Sequence, residues 1–361
     1  MSYMDRAIKL AKDNINCVSP NPSVGAVLVK DGTIIGEGQT QIPGSSHAEI
    51  IAINEAKENV IGSTLYTTLE PCSNVGRTPP CVDAIIKSGI SKVIYSILDP
   101  NPIVNGEGIS KLRDSGIEVE LGDKSSEAKE IIEAYSKFIN YKIPFMTAKY
   151  AMSLDGKITT DTGKSKWISS LDSRMYVHSM RANSDAVMVG INTILNDNPL
   201  LSNRNELNNN LNQPIRIIID SNARTPLNSK ILKQDGETLI IVANANKEAC
   251  DALSRNGAKV VSIPGKNDKV DLVNTSKYLG DRNITSVLVE GGSILLGSLF
   301  EDHLIDKVVA FVSPKIIGGI KSKSPVVNKG IDFIENSSSL KDVKVIQIND
   351  DVLISGYIVR S

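Results

Sequence analysis

The length, composition and charge of the chain predict a globular protein of two domains. At 361 residues it is longer than most single domains, and a content of 41% hydrophobic and 22% charged residues is typical of globular proteins. The 40 basic residues are balanced by 41 acidic ones, so the sequence lacks the basic excess of a nucleic-acid-binding protein. No signal peptide or membrane-spanning run is recognisable, and we therefore expect a cytoplasmic protein without a membrane partner.

The first half of the chain alternates between helical and strand-like segments. A hairpin is predicted over residues 24–38, because Asp31-Gly32 suits the positive φ values of a type I′ turn. The other predicted segments are helices at 5–15, 47–57, 81–87, 108–114 and 125–139, and strands at 64–69, 92–98 and 118–121. This alternation around one open sheet predicts a three-layer α/β/α unit that ends near residues 141–144.

A zinc site is predicted between residues 47 and 81. His47-Ala48-Glu49 begins a helix, Cys72 follows a strand, and Cys81 begins the next helix. One imidazole and two thiolates make three tetrahedral zinc ligands and leave the fourth position for water. Glu49 is better placed beside that water than on the metal, so we expect it to be the general acid and base, as in zinc deaminases. The alternatives are a chance grouping of buried cysteines and a structural zinc, which would need a fourth protein ligand.

The second half repeats the α/β pattern. A strand at 145–152 leads through a turn-rich segment to a helix at 170–183. The remaining segments are strands at 186–189, 215–220, 238–243, 259–263 and 287–290, helices at 247–256 and 293–300, and a closing strand pair at 343–348 and 352–359. The closing pair predicts an antiparallel hairpin on a largely parallel sheet. The Asn-rich stretch 203–213 is predicted to be a surface loop.

Two features of the second half indicate a ligand site. The strand that ends at Glu290 continues through Gly291 and Gly292 into a helix, whose N-terminal N–H groups suit the phosphates of a dinucleotide. The alternative is a tight packing turn, since the segment is not a G-x-G-x-x-G motif. Trp167, the only tryptophan, lies in a polar loop and suits stacking on a flat ring, although a packing role is commoner. These residues alone predict an α/β ligand-binding domain.

Several motifs occur together in one characteristic order. The first half contains the run 21–29 (NPSVGAVLV), the triplet 47–49 (HAE), an eight-residue spacer between Cys72 and Cys81, and the run 99–102 (DPNP). The second half contains Lys149 followed by the run 153–157 (SLDGK), then 167–168 (WI), 197–200 (DNPL) and 290–292 (EGG). Over nearly the whole chain these motifs resemble the bifunctional deaminase/reductase family of riboflavin biosynthesis. The long cysteine spacer is specific, because cytidine and tRNA-adenosine deaminases carry P-C-x-x-C.

The resemblance implies a fold and a reaction for each half. Residues 1–143 would form a cytidine-deaminase-like α/β/α domain that uses zinc to remove the ring amino group of a diaminopyrimidinone ribosylamine phosphate. Residues 144–361 would form a dihydrofolate-reductase-like α/β domain. This domain would pass a hydride from NADPH to the ribose carbon and open the sugar to a ribityl chain. The partner of both domains would be a small molecule, and no nucleic acid is expected.

The resemblance also assigns residues by motif position. In the first domain it implies the zinc ligands His47, Cys72 and Cys81, the proton shuttle Glu49 and a base contact at Asn21. In the second domain it implies substrate contacts at Ser165, Arg181, Leu200, Arg204 and Glu290. It implies cofactor contacts at Ala151, Trp167, Thr193, Asp197, Ser221 and Gly292, and Lys149 is a candidate catalytic residue of the reduction. Arg181 and Arg204 suit a substrate phosphate, since arginine presents a planar fork of donors.

The chain departs from the family pattern at three positions. Asn74 stands where the family usually has the His of Cys-Ser-His, and Thr40 and Ile42 stand where many members carry His and Lys. These departures concern substrate affinity and specificity rather than the metal. Two other functions stay open: a zinc deaminase of another nucleotide or of RNA with an NADPH-binding domain of different or lost activity, and a regulatory module that has lost one activity. The sequence also leaves open whether the chain forms a homo-oligomer.

Overall fold

The structure is a computed structural model that describes residues 2–76, 78–204 and 213–359. The chain folds into two compact units, Met1–Ile143 and Pro144–Ser361. Most of the Asn-rich stretch that was predicted to be a surface loop lies outside the described residues. Within the described ranges, no helix has both the length and the apolar character needed to cross a bilayer.

The first unit is built on a five-stranded sheet with helices on both faces. The strands are β1 (Gly25–Lys30), β2 (Thr33–Gln39), β3 (Thr64–Thr67), β4 (Lys92–Tyr95) and β5 (Glu118–Leu121), in the order β2-β1-β3-β4-β5. Strand β1 is antiparallel to β2 and β3, whereas β3, β4 and β5 run parallel. The helices are α1 (Tyr3–Asp13), α2 (Ala48–Ala56), α3 (Cys81–Ser88), α4 (Glu107–Asp114), α5 (Ser125–Ile131) and α6 (Glu133–Tyr141).

Alternate residues of β1 face two separate apolar clusters. Ala26 and Leu28 belong to the cluster that contains residues of α2 and α3, and Val27 and Val29 belong to a smaller cluster with residues of α1. Successive side chains of a strand point to opposite faces of its sheet. The two clusters therefore lie on the two faces, and the predicted three-layer α/β/α arrangement is confirmed.

Two local predictions for the first unit have different outcomes. The Asp31-Gly32 hairpin is confirmed, since both residues have positive φ, 49° and 74°. The single helix predicted over 125–139 is wrong, because the chain breaks at Ile132 (φ −103°, ψ 14°) between α5 and α6. Ile131 and Ile132 both belong to the main core cluster. Adjacent residues of an uninterrupted helix point in directions about 100° apart, so the break lets both side chains reach that core.

The second unit is built on a nine-stranded sheet. Its strands are β6 (Phe145–Ser153), β7 (Ala186–Gly190), β8 (Ile215–Ile219), β9 (Thr238–Val242), β10 (Ala258–Ser262), β11 (Ser286–Val289), β12 (Lys307–Ser313), β13 (Leu340–Ile348) and β14 (Asp351–Ile358). Their order is β10-β9-β8-β7-β11-β6-β12-β14-β13. All pairs from β10 to β12 are parallel, and β14 is antiparallel to both β12 and β13. The predicted antiparallel closing hairpin is confirmed.

In the part of this unit that the structure describes, five α-helices accompany the sheet: α7 (Leu171–Ala182), α8 (Ile191–Asp197), α9 (Lys247–Arg255), α10 (Leu272–Asp281) and α11 (Ser293–Glu301). Strand β12 and helices α8 and α10 were not predicted from the sequence. The run of β12, Lys-Val-Val-Ala-Phe-Val-Ser, is rich in β-branched residues, and Asp271 caps α10 by accepting a hydrogen bond from the Asn274 N–H. Both signals were therefore present in the sequence.

The parallel pairing decides where a site can form in the second unit. Strands β6, β11, β7 and β8 are neighbours and run in one direction, so their carboxyl ends lie along the same edge of the sheet. Ligands of open α/β sheets bind at that edge. Residues that follow these four strands are therefore brought close together although they are distant in sequence.

Candidate functional site

His47, Cys72 and Cys81 come together at one point of the first unit. His47 is the N-cap residue of α2, Cys72 lies in the loop after β3, and Cys81 is the first residue of α3. Their ligand atoms all lie within 4.8 Å of one another. The Nδ1 atom of His47 is 3.2 Å from Cys81 Sγ and 3.5 Å from Cys72 Sγ. The imidazole therefore turns Nδ1, and not Nε2, toward the two sulfurs.

This donor group fits a zinc ion. One imidazole nitrogen and two sulfurs are ligands that zinc prefers, at distances of about 2.0 and 2.3 Å, and a tetrahedral centre then places nitrogen and sulfur about 3.5 Å apart. The observed nitrogen–sulfur distances of 3.2 and 3.5 Å are close to that separation. Cys72 Sγ also accepts a hydrogen bond from the Cys81 N–H at 3.3 Å. Hydrogen bonding, first with the Cys81 thiol, lowers the pKa of the Cys72 thiol, which favours the thiolate that a metal requires.

Glu49 lies beside this donor group without belonging to it. It occupies the first turn of α2, is only 4% exposed, and its Oε2 is 3.6 Å from Cys81 Sγ. Burial raises the pKa of Glu49 to about 7. A carboxyl group with a pKa near neutrality can both accept and release a proton, which is the property required of a general acid and base.

The close contact between β2 and α2 places both His47 and Glu49. A Cβ atom on Gly38 of β2 would lie 1.9 Å from the carbonyl oxygen of Ala48, the first residue of α2. Only glycine allows the helix to approach the strand this closely. Because Gly38 has no side chain, the start of α2 packs directly against β2, and this contact sets the position of His47 at the helix N-terminus.

The other positions singled out in the first half have varied surroundings. Asn21 lies in the loop before β1, and its N–H donates to the Val18 carbonyl at 2.8 Å. Asn74 donates to the Ile103 carbonyl at 3.3 Å, and Ile42 is exposed. Thr40 is buried, and its hydroxyl accepts the Val24 N–H at 3.0 Å. The hydroxyl of Thr40 is thus hydrogen-bonded to the backbone of the loop before β1.

Glu70 and Thr78 were not recognised from the sequence. The buried carboxylate of Glu70 accepts hydrogen bonds from four backbone N–H groups, those of Asp99, Gly106, Gly108 and Ile109. It therefore ties the loop that carries Cys72 to the start of α4. Thr78 Oγ1 is 3.2 Å from His47 Nε2. The available signals were an acid directly before Pro71 and a threonine directly before Pro79-Pro80.

A cavity of about 1810 Å³ lies in the second unit at the carboxyl ends of its parallel strands. This volume exceeds that of a typical single-ligand pocket, about 300–1,000 Å³, and suits a dinucleotide together with a substrate. Eleven of the positions named from the sequence line it: Lys149, Ala151, Ser165, Trp167, Arg181, Thr193, Asp197, Arg204, Ser221, Glu290 and Gly292. Leu200 is not among the residues that line this cavity.

Three charged side chains form a buried group in this cavity. Glu290 receives hydrogen bonds from Arg181 Nε and, at 2.9 Å, from Arg181 Nη2, and its Oε2 lies 3.5 Å from Lys149 Nζ. Burial opposes ionisation of Glu290, but the charges of Arg181 and Lys149 prevail and lower its pKa to about 2. Burial lowers the pKa of Lys149, and the carboxylate of Glu290 opposes that change. The arrangement keeps Glu290 ionised and makes the Lys149 ammonium a more acidic proton donor.

Further contacts involve residues that line the cavity. Ser165 Oγ donates to Asp197 Oδ1 at 2.9 Å. Gly292 is the N-cap of α11, and Gly292 and Ser293 line the cavity, so the positive end of that helix lies at the cavity. A Cβ on Gly292 would approach Thr193 Oγ1 to 3.4 Å. Trp167 is 64% exposed, and the Arg174 guanidinium lies 4.4 Å from its ring centroid.

Comparisons with known proteins match each unit to a family model. Residues 1–97 match the family model for the cytidine and deoxycytidylate deaminase zinc-binding region, and residues 144–354 match that for the RibD C-terminal domain. The riboflavin biosynthesis protein RibD of Aquifex aeolicus is 41% identical over 98% of this chain and 97% of its own length. The RibD of Escherichia coli is 37% identical over 97% of both chains.

A solved structure gives the same result at the level of the fold. The diaminohydroxyphosphoribosylaminopyrimidine deaminase/5-amino-6-(5-phosphoribosylamino)uracil reductase of Thermotoga maritima superposes with a TM-score of 0.85. It is 35% identical in sequence, and the match covers 99% of this chain and 98% of the Thermotoga chain. Sequence identity, shared domains and shared fold therefore agree over the full length, and the chain belongs to the RibD family of riboflavin biosynthesis proteins.

Proposed function

We propose that the chain performs two consecutive reactions of riboflavin biosynthesis on one pyrimidine substrate. The first is hydrolytic deamination of 2,5-diamino-6-ribosylamino-4(3H)-pyrimidinone 5′-phosphate, and the second is NADPH-dependent reduction of its ribosyl group to ribityl. The observation that carries the proposal is the presence, in one RibD-family chain, of a His/Cys/Cys donor group beside a buried glutamate and of a large cavity with a buried Lys–Glu–Arg group.

In the first unit, His47, Cys72 and Cys81 would bind the zinc ion, and Glu49 would be the general acid and base. Zinc, when bound, supplies an activated water molecule. Glu49 would take one proton from the attacking water and deliver it to the ring nitrogen. It would then take the second proton, from the hydroxyl group left on the ring carbon, and deliver it to the departing amine. The carbon–nitrogen bond breaks, a carbonyl takes its place, and ammonia leaves. Asn21 is assigned to the pyrimidine by motif position.

In the second unit, the buried charged group serves the reduction. NADPH, when bound, supplies the hydride that reaches the ribose carbon. The bond between that carbon and the ring oxygen of the ribose breaks, and the released ribose oxygen then needs a proton. Lys149 is the proposed donor, because burial lowers the pKa of its ammonium group and Glu290 holds it in place. Arg181 orients Glu290.

The remaining contacts of this cavity follow from the same proposal. Arg181 already uses three of its five N–H donors on Glu290 and on the Ser202 carbonyl, so exposed Arg204 is better placed to bind the substrate phosphate. Ser165 is a further proposed substrate contact in the cavity, whereas Leu200, which does not line it, is assigned to the substrate by motif position alone. Proposed cofactor contacts are Ala151, Trp167, Thr193, Asp197, Ser221 and Gly292. A cytoplasmic location remains a prediction.

One experiment tests both reactions and their order. The zinc-loaded protein is incubated with the diaminopyrimidinone ribosylamine phosphate, with and without NADPH, while ammonia, NADPH absorbance and product mass are followed. We expect ammonia without NADPH, and oxidation of NADPH only after deamination. Ammonia without any oxidation of NADPH would restrict the function to deamination. Absence of ammonia would contradict the proposed substrate and direct attention to the departures at Asn74 and Thr40.

A further inference from the structure

The two ring nitrogens of His47 have different neighbours. Nδ1 faces both sulfurs, at 3.2 and 3.5 Å, whereas Nε2 is 3.2 Å from Thr78 Oγ1. A neutral imidazole has one nitrogen that carries a proton and one with a free lone pair. If Nδ1 is the atom that binds a metal, its lone pair must be free, and Nε2 must carry the proton.

We propose that Thr78 is a positioning residue for the zinc ligand His47. Its hydroxyl accepts the Nε2–H of the imidazole, which selects the tautomer with a free lone pair on Nδ1 and fixes the rotation of the ring toward the sulfurs. Histidine ligands of metals generally donate their second N–H to such a partner, which sets the tautomer and raises ligand basicity. The inference rests on the proposed zinc site of the deaminase and adds a residue to it.

The spacer between Cys72 and Cys81 holds Thr78 in place. Proline disfavours the helical conformation of the residue before it, so Pro79 and Pro80 together stiffen the segment that follows Thr78. The Thr78 carbonyl accepts the Gly76 N–H at 3.2 Å, and the spacer is closed at its end by the hydrogen bond between the Cys81 N–H and Cys72 Sγ.

The position of Thr78 beside His47 suggests a role for the long spacer between the two cysteines. A C-x-x-C motif has two residues between its cysteines, whereas this chain has the segment 73–80, and Thr78 lies within it. Thr78, near the end of this segment, lies beside His47 Nε2. The spacer therefore supplies a hydrogen-bond acceptor to the histidine as well as connecting the two thiolate ligands.

The test compares Thr78→Val with Thr78→Ser in the full-length protein. Valine keeps the shape of threonine but cannot accept the Nε2–H, whereas serine retains the hydroxyl. We expect Thr78→Val to weaken zinc binding about 10- to 100-fold, the usual effect of losing such a partner, and Thr78→Ser to stay close to wild type. Zinc affinity is measured by competition with a chromophoric chelator. Thr33→Val, at the exposed start of β2, is the matched control.

A second readout separates positioning from folding. Long-range ¹H–¹⁵N NMR spectra of the zinc-loaded protein report which nitrogen of His47 carries the proton. Because Nδ1 bound to zinc leaves the proton on Nε2 in every variant, we expect an Nε2–H that exchanges slowly with water in wild type and Thr78→Ser, and faster exchange of that proton in Thr78→Val. Circular dichroism checks that each variant is folded, and Thr78→Ala replaces Thr78→Val should valine disturb the loop.

The outcomes distinguish this inference from the proposed function. If wild type binds no zinc, the proposed deaminase itself fails. If wild type binds zinc and Thr78→Val matches Thr33→Val in both zinc affinity and the His47 spectrum, the role of Thr78 is overturned while the deaminase proposal stands. If Thr78→Val and Thr78→Ser both weaken zinc binding to the same extent, the role of Thr78 is also overturned, because serine keeps the hydroxyl that the inference holds responsible.

Discussion

At the scale of single residues, Glu49 lies next to the proposed metal ligands but is not one of them. Glu49→Gln keeps the size of the side chain and leaves His47, Cys72 and Cys81 intact, so we expect zinc content to be unchanged. Because the amide cannot carry the proton, deamination should fall at least about 100-fold. Ammonia release measures this loss, and reduction of the already deaminated intermediate is the internal control. Full deamination by the variant would exclude Glu49 as the proton carrier.

A second prediction concerns the buried Glu290 and how the free energy of unfolding depends on pH. Its pKa in the folded state, about 2, lies below the ordinary value of 4.5. Folding therefore favours the ionised carboxyl group above pH 4.5, and this stabilisation is lost as the pH falls from about 4.5 to 2. At about 1.4 kcal/mol for each pKa unit, the contribution is about 3 kcal/mol.

Glu290→Gln should remove this contribution and leave Arg181 and Lys149 without their counter-charge. We expect the free energy of unfolding of the second unit to fall by about 3 kcal/mol at pH 7, with a weaker dependence on pH between 4.5 and 2. Urea unfolding at several pH values measures both effects. Glu335→Gln, at an exposed position, is the control and should behave like wild type. Equal stability of the two variants at pH 7 would show that the Lys–Glu–Arg group contributes nothing to folding.

At the scale of elements, α7 is anchored by the residue that begins the last strand. Asp351 Oδ2 accepts hydrogen bonds from the Ser170 N–H at 2.7 Å and from the Ser173 hydroxyl at 2.6 Å, at the N-terminus of α7. The same helix carries Arg181, which holds Glu290. The closing hairpin, which lies far along the chain from the cavity, therefore sets the position of a helix that lines it.

We expect Asp351→Ala to destabilise the second unit by about 2–3 kcal/mol, since it removes the acceptor of one buried donor, the Ser173 hydroxyl, and of one partly buried donor, the Ser170 N–H. Movement of α7 should also raise the KM for the deaminated substrate about tenfold, equivalent to 1.4 kcal/mol of binding energy. Thermal unfolding and steady-state NADPH oxidation measure the two effects. Asp350→Ala, one residue earlier in the exposed turn, is the control. An unchanged KM would limit Asp351 to a role in folding.

At the scale of the whole molecule, the sequence predicted the fold class because alternating strands and helices leave few architectures. The clustering of His47, Cys72 and Cys81 was also predictable, since these residue types are rare in this chain and occur in a known pattern. The contacts of Thr78 and Asp351 were not predictable, because each depends on how a loop or hairpin returns to a distant element. Leu200 does not line the cavity, whereas Asp197 of the same motif does, so a shared motif did not predict a shared position at the site.

The confinement of each proposed set of reacting groups to one compact unit has a genetic consequence. The first set lies between His47 and Cys81, and the second lies between Lys149 and Gly292. We therefore expect two defective alleles to complement each other when expressed together, one coding for Glu49→Gln and the other for Lys149→Met. A strain that needs the enzyme for riboflavin should grow on the pair, fail on either allele alone, and accumulate the deaminated intermediate with Lys149→Met only. If the pair failed although both proteins were folded, the intermediate would have to stay within one chain.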